Sequence, residues 1–183
     1  MSMWRHLRAI VLLPGTVLVV VPAIILSRTN RGNRGESWPL PFNIMRWAVS
    51  LSLIGLGLTL MAQTIRLFMA FGEGTLSPLD STRRLVVRGP YRHVRNPMIS
   101  GACCILLGEA AWFKSLPLLW VFVAAALLNV VYIPLVEERD LEQRFGEDYR
   151  AYKRNVPRWI PRRQPLTLPR ESQTGDVEMA DRP

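Results

Sequence analysis

Four apolar blocks, each approaching the length of a membrane crossing and set apart by arginine- and proline-rich sequence, constrain this chain more than any other feature. They run from about Ala9 to Leu26, Met45 to Phe71, Met98 to Phe113 and Leu118 to Val136. Roughly 20 apolar residues cross the hydrocarbon core of a bilayer. Inside that core each backbone amide must find its partner within the protein, which favours helices. The expected fold is an all-α membrane protein with four transmembrane helices, the third short for a full crossing. A mean hydropathy of +0.14 understates this pattern, because it averages greasy spans with a charged tail.

Pro14-Gly15 and Pro22 interrupt the first block, so a kink is expected there. Its basic flank resembles that of a signal peptide, but no small-residue cleavage site follows Leu26, and it is read as a retained span. Trp38, Phe42 and Trp47 stand where aromatic side chains anchor a span at the interface. In the second block Gly55 and Gly57 allow close helix contact, and Arg66 is placed to snorkel. The third opens with Gly101-Ala102-Cys103-Cys104, small residues that let another helix approach. Two adjacent cysteines support neither a disulfide framework nor a four-ligand metal site. Glu109, near the end of this block, reads as a surface or snorkelling carboxylate.

Ser115-Leu116-Pro117 makes a tight reversal, so spans three and four are expected to form a helical hairpin. Asn129, Ile133 and Glu137 follow at i, i+4 and i+8, a stripe leading to the Glu137-Glu138 pair. From there Leu141, Phe145, Tyr149 and Tyr152 recur at helical intervals among charged residues, the pattern of an amphipathic helix that Gly146 interrupts. Val156-Pro157 ends it. After about Arg163 the sequence is polar and aperiodic, and disorder is expected.

The net charge of +9 raises the question of nucleic acid, but no nucleic-acid-binding module accompanies it. The cations flank apolar spans, where anionic lipid and the positive-inside rule account for them. With four spans, the N-terminus, the second loop and the C-terminal region share a face carrying seventeen Lys and Arg against five on the other. Arg5, Arg8, Arg83 and Arg84 belong to the richer face. Both termini are therefore expected in the cytoplasm.

The most distinctive stretch is Arg88-Gly-Pro-Tyr-Arg-His-Val-Arg-Asn-Pro-Met98. Gly89-Pro90 and Asn96-Pro97 are turn dipeptides, and Arg88, Arg92, Arg95 and His93 crowd the turn before it enters the third span. Taken alone it is either a polar, anion-tolerant pocket at a membrane surface or a basic loop that sets topology. Glu137-Glu138 alone is either part of a site or a solvated helix start, where acidic residues suit the macrodipole.

Taken together, the elbow, the helical hairpin, Glu137-Glu138, Phe145-Gly146, Tyr149, Tyr152 and Val156-Pro-Arg158 resemble the isoprenylcysteine carboxyl methyltransferases and the related phospholipid methyltransferases. The resemblance covers about Thr82 to Pro161. It divides the chain into an N-terminal membrane region (1–81), a methyltransferase-like core (82–161) and a tail (162–183). It implies a C-terminal helical hairpin and a cytoplasmic amphipathic helix capping a pocket for S-adenosylmethionine. Leu85, Val86, Tyr91, Asn96, Pro97, Met98 and Ile99 would line that pocket, and Glu137 would complete it. Arg95 and Glu138 would serve catalysis, Arg95 by holding the motif or meeting the cofactor's carboxylate. The acceptor would be a lipophilic small molecule entering from membrane lipid between spans two and four.

Three positions depart from the resembled pattern. Asn96 stands where histidine is frequent, and Ile99 where tyrosine is. Ile133 occupies the place, four residues before the first glutamate, where carboxyl methyltransferases carry an arginine for the substrate carboxylate. Carboxylate, amine, thiol and phenol acceptors all stay open. So do an NADPH-dependent sterol-reductase-like enzyme and a non-catalytic protein of the same fold.

Overall fold

A computed structural model of the chain describes residues 11–29, 39–71 and 85–167. Among them every regular element is helical, and Leu85-Val86-Val87, a β-prone run in sequence, belongs to no strand. Arg5, Arg8, Arg83, Arg84, Trp38 and the tail beyond residue 167, which entered the charge count, interface anchors and disorder expectation, lie outside the described residues.

A π-helix, Val11–Val20, continues as helix α1, Val21–Thr29. The interruption expected at Pro14-Gly15 thus takes the form of a π-helix. Helix α2 spans Leu40–Phe71. After the elbow, α3 (Pro97–Trp112) starts with proline at a position where a helix has no use for the missing donor. Ser115 caps α4 (Leu116–Tyr132), its hydroxyl accepting from Leu118 N–H at 3.4 Å.

Two stretches, Leu40–Ala70 and Leu116–Asn155, contain helix long and apolar enough to cross a membrane. Of the apolar window in the second only 6 % is buried. Leu119, Trp120, Leu127, Leu128, Val130 and Val131 stand exposed along α4. A helix apolar on its outer surface suits lipid and not water. The other two expected spans are shorter: α3 has 16 residues, about 24 Å at the helical rise, and the first ends an apolar helix at Gly15–Thr29.

The expected α3–α4 hairpin forms, and α3 packs more extensively still against α2. A Cβ on Gly57 would lie 2.5 Å from the Gly101 carbonyl oxygen, and one on Gly101 would lie 2.9 Å from that of Gly57. The two backbones touch there, as small residues permit. Gly55, expected to share this role, has nothing within 4 Å of its would-be Cβ. Arg46, at the far end of α2, donates to the carbonyls of Ala111 (3.0 Å) and Trp112. It thereby adds a donor at the end of α3, where the Ala111 carbonyl otherwise takes the long Lys114 N–H contact at 3.4 Å. Leu18, Met61, Ile105 and Leu106 form the bundle core, with Met98, Val121 and Phe122 packed against them.

The fourth span and the amphipathic helix α5 (Glu138–Asn155) are continuous through a π turn, Ile133–Glu137. Pro134 cannot donate, and Glu138 N–H bonds the Ile133 carbonyl five residues back. The extra residue per turn breaks the regular Asn129–Ile133–Glu137 stripe and re-aims the two glutamates. Such turns recur at functional sites. Gly146, at φ 55° and ψ −126°, divides α5 as expected. Tyr149, Tyr152 and Val156 then close over Leu85, Val87, Leu141, Phe145 and Leu166 as a second apolar cluster.

Candidate functional site

The elbow is held from three sides. Gly89 adopts φ 54°, which only glycine takes without strain, and a Cβ there would lie 2.9 Å from Leu67 on α2. The turn Gly89–Arg92 then drives Tyr91 inward, its ring edge-on to Phe68 with centroids 5.6 Å apart. From α5, the Tyr152 hydroxyl donates to the Tyr91 carbonyl at 2.8 Å.

The third support was not anticipated. Residues after α5 return as a strap that hydrogen-bonds along the elbow: Arg95 N–H to the Pro157 carbonyl, Arg162 N–H to that of His93 and Leu166 N–H to that of Arg92, each at 3.0 Å. Side chains reinforce it, with Arg92 Nε donating to the Leu166 carbonyl at 2.6 Å and His93 Nδ1 bonding the Arg162 carbonyl at 2.9 Å. Arg162 to Leu166 were expected in a disordered tail. Their order comes from backbone pairing to a distant segment, which composition does not reveal.

Glu137 and Glu138 are adjacent but live in opposite surroundings. Glu138 is 3 % exposed. Its Oε1 accepts from Arg95 Nη1 and Arg158 Nε, both at 2.8 Å, and its Oε2 from Arg158 Nη2 at 3.0 Å, with Lys153 Nζ 3.2 Å away. Burial pushes its carboxyl up. The Arg158 hydrogen bond, the Arg95 charge and the Lys153 hydrogen bond more than offset this and hold it below the usual carboxylate range. With its acceptors taken by three cations, Glu138 braces the elbow against α5 and has no lone pair to offer a substrate.

Glu137 has no ion pair or hydrogen bond among the described residues. Burial first, then the charges of Glu138 and Asp140, push its carboxyl up. It lies within electrostatic reach of Tyr91, whose phenol is raised well beyond its ordinary range, chiefly by burial and then by Tyr152 and Glu137. Asn96 sits at the N-cap of α3, where its side chain would ordinarily accept from the first turn. It makes no such bond, and its Nδ2 is buried without a partner. Buried donors are nearly always satisfied, and the described residues supply this one with no acceptor.

Of the residues singled out in the sequence, Arg95 is paired with Glu138, Glu137 lies within electrostatic reach of Tyr91, and Asn96 follows Arg95 at the head of α3. Pro97 is buried as the first residue of α3. Val86 is buried, while Leu85 packs into the apolar cluster under α5 and Met98 into the bundle core. Ile99 is half-buried on the first turn of α3. Ile133 is 1 % exposed, so its position is filled by packing. Arg158 and Lys153 were not assigned roles from sequence. Arg158 belonged to the resembled motif, which was its only signal. Lys153 sat among other surface charges of an amphipathic helix.

On the other side of the elbow lies a cleft of about 460 Å³, walled by Leu60 and Gln63 of α2, Arg92 and His93 of the elbow, and Pro161 and Pro165 of the strap. Tyr91, Asn96 and Glu137 are not among its walls.

Residues 45–148 match a family model described as phospholipid methyltransferase. No curated protein and no solved structure matches the chain.

Proposed function

Because the chain belongs to the phospholipid methyltransferase family, we propose that it is an integral membrane enzyme that methylates a lipophilic acceptor with S-adenosylmethionine. The observation that carries this reading is a pair of groups left uncommitted among the described residues, the buried Nδ2 of Asn96 at the head of α3 and the carboxylate of Glu137 within electrostatic reach of Tyr91. They fit the cofactor's chemistry. A sulfonium is a cation that an unpaired carboxylate favours, and an amino-acid carboxylate is an acceptor that a buried amide donor needs. When bound, the cofactor supplies an electrophilic methyl group on sulfur.

The protein's share is to hold and exclude. Tyr91, fixed by Phe68 and Tyr152, walls the site on the α2 side. Arg95, anchored on Glu138, keeps Asn96 at the head of α3. The Leu85–Arg88 segment and α5 cover the site and keep water out. Orientation of this kind is worth roughly 7–11 kcal/mol in an in-line displacement. Glu137, which the sequence suggested for the cofactor, keeps that role, while Glu138 is reassigned from catalysis to positioning.

The reading includes four crossings, the two shorter helices crossing with help from flanking residues and local thinning. Both termini and the elbow lie in the cytoplasm. The test is titration of the detergent-purified protein with S-adenosylmethionine, with NADPH as competitor. Saturable binding that NADPH does not displace, and that Glu137→Ala weakens by about tenfold or more, is expected. An absence of saturable binding, or a Glu137→Ala variant indistinguishable from the parent, sinks the proposal.

A further inference from the structure

The cleft beside the elbow gathers hydrogen-bond donors and no acid. Of its walls only Arg92 and His93 are ionisable, and Gln63 adds an uncharged amide from α2. Arg92 spends Nε on the Leu166 carbonyl, and its two terminal nitrogens have no partner among the described residues. The exposed Gln63 amide makes no hydrogen bond within that set either. A guanidinium with both terminal nitrogens uncommitted presents a planar fork that matches two oxygens of one anion. At about 460 Å³ the cleft falls within the roughly 300–1,000 Å³ of ordinary ligand sites.

The depth of the cleft decides where such an anion comes from. Gly57 meets Gly101, and a Cβ on Gly108 would lie 3.0 Å from the Ser50 carbonyl oxygen. Helices α2 and α3 therefore run antiparallel, which sets Pro97, the first residue of α3, about level with Met61 of α2. Leu60 and Gln63 bracket that level, so the cleft opens where the chain enters its apolar spans. Arg66, exposed and without a partner among the described residues, follows Gln63 on the same side of α2. The strap has the matching composition. Ile160 is 80 % exposed beside Trp159, and Arg162 and Arg163 follow. Aromatic and cationic side chains around an exposed apolar one suit the headgroup layer of a membrane.

We propose that this cleft binds the phosphate of an anionic membrane phospholipid, held by Arg92 and Gln63, and that this lipid is neither cofactor nor methyl acceptor. Tyr91, Asn96 and Glu137 lie outside the cleft's walls, so a lipid there is not presented to the proposed methyl site. A zwitterionic head would bring a cation that no wall carboxylate pairs, whereas a net-anionic head brings none. The lipid acts on the strap. Arg92 and His93, which wall the cleft, are also the side chains that tie the elbow to the Leu166 and Arg162 carbonyls. A phosphate that fixes the guanidinium therefore fixes the strap, and closure of the strap tightens the lipid in return. The site needs no cofactor, and it stands apart from the methyltransferase reading.

The test is amide hydrogen exchange, read by mass spectrometry over residues 157–167, where the Arg162 and Leu166 amides pair with the elbow. Detergent-purified protein without cofactor is titrated with dioleoyl phosphatidylglycerol, dioleoyl phosphatidylcholine or inorganic phosphate. Saturable slowing by phosphatidylglycerol is expected, with phosphatidylcholine weaker by about tenfold or more. Gln63→Glu puts a like charge in the cleft from an exposed position of α2, where the fold tolerates it, and should weaken phosphatidylglycerol by about tenfold or more. Arg92→Gln should weaken it as much, and should also speed exchange in the lipid-free protein because the bond to Leu166 is lost. Arg150→Gln, which removes an exposed charge of α5, should leave the affinity within about twofold.

No slowing by phosphatidylglycerol, or equal affinity for the two lipids, overturns the proposal. So does an affinity unchanged in Gln63→Glu. Equal slowing by inorganic phosphate would make the ligand a free anion, and equal weakening by Arg150→Gln would reduce the effect to general surface charge; either result overturns the lipid site. Binding of S-adenosylmethionine is measured separately, so failure here leaves the methyltransferase reading standing, and failure of that reading leaves the lipid site.

Discussion

Arg158 grips Glu138 in a fork, Nε to Oε1 at 2.8 Å and Nη2 to Oε2 at 3.0 Å. This carboxylate also takes Arg95 from the elbow and Lys153 from α5. It is the point at which three separate stretches of chain meet. Breaking a buried pair by removing one partner leaves uncompensated charge and costs about 3–5 kcal/mol. Glu138→Gln is therefore expected to lower stability by about that much in thermal or denaturant unfolding in detergent. Lys153, 37 % exposed, is screened by water, and Lys153→Ala should cost no more than about 1 kcal/mol. Equal effects of the two substitutions would contradict the bracing role.

The two glutamates should also carry opposite pH signatures. Glu138's folded pKa is depressed, so its contribution is complete above the unfolded value of about 4.3 and is lost as pH falls through the lower folded value. The stability gap between the parent and Glu138→Gln should therefore close on acidification below about pH 4. A gap that persists unchanged into acid would show that the ion cluster is not its source.

Glu137 runs the other way. Its folded pKa is raised, so its contribution is complete below the unfolded value of about 4.3 and is lost as pH rises through the folded one. Glu137→Gln should match or exceed the parent's Tm at neutral pH while binding S-adenosylmethionine about tenfold more weakly or worse. That exchange of stability for function marks an active-site group. Loss of both Tm and binding would mark a structural residue instead.

The α2–α3 contact makes a sharper comparison. Gly57→Ala places a methyl 2.5 Å from the Gly101 carbonyl oxygen, where backbone would have to move. About 1–3 kcal/mol of destabilisation is expected. Gly55→Ala, with open space around it, should be neutral or stabilising by up to about 1 kcal/mol through helix propensity. Unfolding of the two variants side by side in detergent checks the register of the pair.

Pro134 maintains the π turn by withholding a donor. Pro134→Ala restores the amide and lets the turn tighten to α-helical spacing, which rotates Glu137 and Glu138 by about 100° relative to α4. Weaker cofactor binding without a matching loss of helix content by circular dichroism is expected. Unchanged binding would mean that the π turn does not set the aim of Glu137.

The helices, the break at Gly146, the reversal at Ser115 and the grouping of Tyr91, Arg95 and Asn96 were all legible in the sequence. Each depends on local chemistry: apolar runs, turn dipeptides, caps and short-range spacing.

Only the tertiary structure decided which of two adjacent glutamates is free, that Arg158 and Lys153 belong with Glu138, that Arg162 to Leu166 strap the elbow, and that α2 rather than α4 is the closest neighbour of α3. Each of these turns on contacts between residues far apart in the chain. Whether a carboxylate is spent on structure or left for a ligand depends on which cations the fold delivers to it, and neighbouring residues in a sequence carry no record of that.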